Sequence, residues 1–181
     1  MGSGVAAAVG GLVHRQRWAL STGVLAWCAA FAVGWRWCDP HPYGLIPVRP
    51  DPGLALFSEI LTRNVGVASA LWLSGLLTAG VAVLPATLAV GALAGVTWGQ
   101  ALPVLGLEAV VRHVLPHLGV EFLAVGCAVG AGLVPFRPLW RSVTGAGQAD
   151  WRAELADSGR LWGVVLVLLA VAAGVETWIS T

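Results

Sequence analysis

The chain has 181 residues, 57% of them hydrophobic and 10% charged, where a soluble domain carries about 25% charged residues. That excludes an ordinary soluble domain, and a formal net charge of +1 gives no electrostatic footprint for nucleic acid or an acidic partner. Every basic residue besides histidine is arginine, and ten tryptophans stand against four phenylalanines, which fits anchoring at membrane interfaces.

The first apolar run, "WALSTGVLAWCAAFAVGW", covers 18–35 and follows His14, Arg15 and Arg17. A basic start and an apolar middle are also features of a signal peptide. The run is long for that role, and no small-residue cleavage site leads into a soluble domain, so a retained helix is expected. The stretch 38–53 holds five of the ten prolines, and proline excludes a helix interior. It reads as an ordered loop outside the hydrocarbon. "LALFSEILTRN", 54–64, places Leu54, Phe57, Ile60 and Leu61 on one face, as a short interfacial helix would.

The next run is about twice the length needed to cross a bilayer and must turn. Pro85 marks the expected turn, giving spans at 65–84 and 86–106. Gly91, Gly95 and Gly99 repeat a G-x-x-x-G spacing in the latter, and Gly126 and Gly130 repeat it in the next span. Such glycines let another helix backbone approach closely; a substrate groove along the same face is the other reading. The fourth span is expected at 117–136. A polar stretch with four arginines follows, and the fifth span is expected at 161–179, between Trp162 and Trp178. Cys28 and Cys127 lie in apolar runs and Cys38 just outside one, a pattern of hydrophobic filler and not of a disulfide framework.

These elements predict an all-α fold: a polytopic membrane helix bundle with about five transmembrane helices plus a short interfacial helix. One integral membrane domain covers 1–181. Five spans with the N-terminus inside put Arg15, Arg17, Arg137, Arg141, Arg152 and Arg160 in cytoplasmic segments. Arg36, Arg49, Arg63 and Arg112 then fall outside. Six against four favours a cytoplasmic N-terminus and an extracytoplasmic C-terminus.

That topology gathers polar residues at the outer face. Asn64 opens the second span, Glu108 closes the third, His117 and Glu121 open the fourth, and Glu176 lies late in the fifth. Arg112 and His113 sit between spans at the same level. Ionisable groups at membrane depth usually face a bundle interior or a wet cavity. Glu108 with Arg112, and His117 with Glu121, are four apart and can pair on one helix face. His117 is the candidate general base and Glu121 the group that orients it; a hydrogen-bonded cluster that fixes helix register is the structural reading. Gly126 and Gly130 are expected on the face away from His117. His113, His117 and Glu121 are ligand types that suit zinc, but Pro116 interrupts the helix between the histidines and H-E-x-x-H is absent. No metal and no cofactor is expected.

Three blocks, "FSEILTRNVGVA", "GLLTAGVAVLPATLAVGALAG" and "VLPHLGVEFLAVGCAVGAGL", resemble the stage II sporulation protein M family over 57–133. Asn64, Gly75, Gly91, Gly95, Pro116, His117 and Glu121 match its pattern. The family's Asn-Gly in the third span is Val90-Gly91 here, and the glycine after the histidine is Leu118. The resemblance implies an integral membrane protein of about five helices. It further implies work beside partners that remodel the cell envelope, or in peptide maturation and export. The expected function is a membrane scaffold or transport component with membrane or extracytoplasmic partners. An intramembrane enzyme acting on a lipid or peptide through His117 and Glu121 is the alternative. The sequence carries no signal for oligomeric state.

Overall fold

A computed structural model describes residues 2–38, 51–106, 108, 110–148 and 150–179. Among the described residues the fold is all-helical. The helices are α1 (Gly2–Arg15), α2 (Arg17–Arg36), α3 (Leu54–Leu77), α4 (Val83–Leu105), α5 (Leu115–Leu133), α6 (Phe136–Thr144) and α7 (Trp151–Trp178). A π-helical turn, Val110–Val114, leads into α5. Five segments among the described residues are long and apolar enough to cross a membrane: Arg17–Arg36, Leu54–Leu77, Val83–Gln100, Leu115–Thr144 and Trp151–Trp178. Most of the proline-rich loop expected at 38–53 lies outside the described residues.

Three boundaries differ from the sequence reading. Leu54–Leu77 is one helix, so the stretch 54–64, expected as a separate interfacial helix, continues into the second span. The turn comes at 78–82, ahead of Pro85. Ala79 and Gly80 take positive φ there, 51° and 88°, and the Ala82 N–H donates to Thr78 Oγ1 at 2.9 Å. Pro85 then falls in the first turn of α4, where its missing N–H costs nothing. Pro116 sits likewise in the first turn of α5. Helix α7 begins ten residues before the expected span, capped by Asp150, whose side chain accepts from the Ala153 N–H at 3.0 Å.

Helix α5 is the hub. Sixty-one per cent of its apolar window is buried, against 17–33% for the other spans, so it serves as the bundle's core. It packs on α2, α3 and α7, while α4 packs mainly on α2. Ala124 and Ala128 meet Ala68 of α3 and Val165 and Leu169 of α7. Val125 and Val129 share a second cluster with Ala19 and Trp27 of α2.

Glycines set the closest approaches. A Cβ on Gly95 would collide with the Phe31 carbonyl of α2, and one on Gly91 would stand 2.7 Å from the Ala30 Cβ. On α5, a Cβ on Gly126 would stand 2.8 Å from the Val24 Cα, and one on Gly130 3.0 Å from the Leu20 Cα. A Cβ on Gly99 would stand 2.8 Å from the Cys38 Cβ. All five sequence-selected glycines thus lie against α2 or the residues that follow it.

The tryptophans divide their work. Trp37 and Trp178 are exposed and Trp27 is buried. Trp72 of α3 stacks on Trp162 of α7, with centroids 4.9 Å apart and planes 2° from parallel. Interfacial anchoring therefore accounts for only some of them.

Candidate functional site: a polar cavity between helices α3 and α4

Helices α3 and α4 follow one another through a tight turn, yet they pack on different partners. The space left between them, floored by α5, is a cavity of about 340 Å³. Its apolar wall includes Trp27, Val67, Val90, Trp98 and Phe122. Its polar wall is Arg63, Asn64, His117, Glu121 and Glu176.

Each polar group comes to the cavity through its helix register. His117 and Glu121 lie one turn apart on α5, on the side away from the Gly126 contact with α2. The Asn64 amide of α3 donates to Glu121 Oε1. From α7, Glu176 brings Oε2 to 4.0 Å from His117 Nε2. One donor atom from each of His117, Glu121 and Glu176 lies within 4.8 Å of the others. His117 is 5% exposed, Glu121 and Asn64 are half-buried, and Arg63 is exposed. The buried Trp27 indole N–H has no hydrogen-bond partner among the described residues.

The structure thus brings together Asn64, His117, Glu121 and Glu176 of the residues singled out in the sequence. Glu108 and Arg112 form an ion pair of 3.9 Å, but their side chains are 89% and 72% exposed, away from the cavity wall. The His113 side chain lies outside the described residues. Trp27, Arg63 and Trp98 were not singled out. For two of them the sequence signal is helical spacing: Arg63 and Val67 are four apart on one face of α3, as Ala94 and Trp98 are on α4.

A second polar network, also missed in the sequence, closes the other end of the bundle. Arg15 donates twice to Asp157, through Nε at 3.0 Å and Nη2 at 2.9 Å. Gln16 donates to Asp157 at 3.1 Å and Glu154 at 2.9 Å, and Arg160 donates to Asp157 at 2.9 Å. The Trp72 indole N–H donates to Ser158 Oγ, which itself donates to the Ala131 carbonyl. These bonds tie the α1–α2 junction, α3 and α5 to the start of α7.

The fold and cavity define an integral membrane helix bundle with a polar site built between its spans. The family model for Stage II sporulation protein M matches residues 24–181, from the first span to the last. The chain belongs to the stage II sporulation protein M family. No curated protein and no solved structure matches it.

Proposed function

We propose that this is a non-catalytic membrane component of envelope-remodelling or export machinery, which receives a peptide segment of a membrane or extracytoplasmic partner between α3 and α4. The cavity of about 340 Å³ carries this reading, since its size falls in the range of ligand sites and it pairs apolar walls with a few convergent polar groups. Trp27 and Trp98 line it with indole rings suited to apolar side chains. Arg63 offers a cation for a carboxylate. The protein is a multi-pass protein of the cell membrane with its N-terminus in the cytoplasm, by the six-to-four arginine bias. The cavity then lies towards the outer leaflet.

The second reading, an intramembrane enzyme, is favoured by one observation. His117 is 5% exposed and has two carboxylates within 4.8 Å, an arrangement that suits a general base held in orientation. In this reading Glu176 shares the orienting role with Glu121.

A photoreactive amino acid at Trp98 should give a discrete protein adduct in growing cells. The same group at Val171, which is 52% exposed on α7, should react with lipid alone. Protease added to spheroplasts should shorten the Trp98 adduct, because the partner reaches the exterior. Lipid adducts alone at both positions would contradict the proposal, and a protease-resistant adduct would reverse the orientation.

A further inference from the structure

We propose that His117, Glu121 and Glu176 form a binding site for one divalent transition-metal ion, of the zinc or manganese class. The three side chains come from two helices that pack against each other, α5 and α7. Their donor atoms lie within 4.8 Å of one another. Zinc holds nitrogen and oxygen ligands at about 2.1 Å, so two ligands of one ion stand no more than about 4.2 Å apart. The cluster must tighten by about 0.6 Å or more to hold the ion.

Charge gives the second reason. Two carboxylates in a membrane span are costly to ionise without compensation. One divalent ion balances both, and a neutral imidazole adds no charge. The mixed donor set fits the same ions: imidazole suits zinc and iron, and carboxylate suits manganese.

Orientation gives the third. The Asn64 amide donates to Glu121 Oε1, which fixes the carboxylate and leaves its second oxygen for the ion. Such outer hydrogen bonds commonly hold ligating carboxylates in place. The ligand set takes Glu176 from α7, where the sequence offered His113. Three protein ligands beside a cavity also leave coordination positions open, unlike the closed four-ligand sites of structural zinc.

This inference goes beyond the proposed partner binding and is tested without a partner. Full-length protein in detergent, stripped by chelator and desalted after exposure to Zn²⁺ or Mn²⁺, should retain one equivalent of at least one of them. Co²⁺ should produce visible d–d absorption, and Zn²⁺ should displace it. Glu176→Gln should melt like the stripped parent and lower affinity at least tenfold. His117→Gln should do the same, which keeps the test decisive if one variant folds poorly. Glu108→Gln, on the exposed pair, should bind like the parent. The proposal is overturned if the parent retains no metal and shows no cobalt band. It is equally overturned if folded Glu176→Gln and His117→Gln both bind as the parent does, since the ion would then sit elsewhere.

Discussion

Glu121 lies about 6 Å along α5 from His117 at the usual rise per residue, and the two reach their partners in different directions. Glu121 accepts from Asn64 of α3, whereas His117 approaches Glu176 of α7. The cluster therefore ties three helices, not one turn of one helix. At the other end Asp157 does comparable work with Arg15, Gln16 and Arg160. Its side chain is only 8% exposed, and its loss would remove the acceptor that Arg15, Gln16 and Arg160 share. Asp157→Ala should lower the melting temperature in detergent by on the order of 5 °C, with Arg160→Ala costing less because its side chain is 64% exposed. Equal melting of Asp157→Ala and the parent would show that the network contributes nothing. His117, Glu121 and Glu176 were legible as ionisable residues inside apolar runs. The Glu108–Arg112 pair showed the same four-residue spacing, and spacing does not record burial. The Arg15–Asp157 pair was not legible, because its partners are 142 positions apart and each looks like an ordinary residue at a span's edge.

Among the helices, contact is governed by where side chains are missing. Helix α2 is flanked by glycine faces: Gly91 and Gly95 from α4, Gly126 and Gly130 from α5. The G-x-x-x-G spacing announced these faces, since glycines four apart share one side of a helix. The spacing did not name α2 as the common partner, because a one-dimensional pattern marks a flat face without its target. Gly95→Leu should sharply reduce folded yield in detergent, since any Cβ there meets the Phe31 backbone. A Cβ added at Gly163 on α7 would meet nothing within 4 Å, so Gly163→Ala should fold as well as the parent or slightly better, by about 0.5–1 kcal/mol. Comparable yields for Gly95→Leu and Gly163→Ala would mean that the α2–α4 contact is not close. The helix ends were less legible than the faces. Pro85 and Pro116 both sit in first turns, so a proline marks a helix start as readily as a break, and the turn at 78–82 was read a few residues late.

Across the whole molecule, the other four spans are arranged unevenly about α5. Helices α2, α3 and α7 pack against it, and α4 is carried mainly by α2. That arrangement parts α3 from α4 and makes the cavity, so the site follows from the packing order as much as from its polar residues. The number of spans was legible from hydropathy, because a bilayer fixes the length of apolar helix needed. The packing order was not, because each apolar stripe is compatible with several neighbours. The central claim is that the cavity's polar wall serves function and not merely the stability of the bundle. Glu121→Gln tests it most directly, since the amide keeps the shape of the side chain and removes its charge. Thermal melting in detergent should be measured alongside complementation of a deletion strain. The account predicts a melting temperature within about 2 °C of the parent, a change of at most about 1 kcal/mol, and failure to complement. A folded Glu121→Gln protein that complements fully would contradict it.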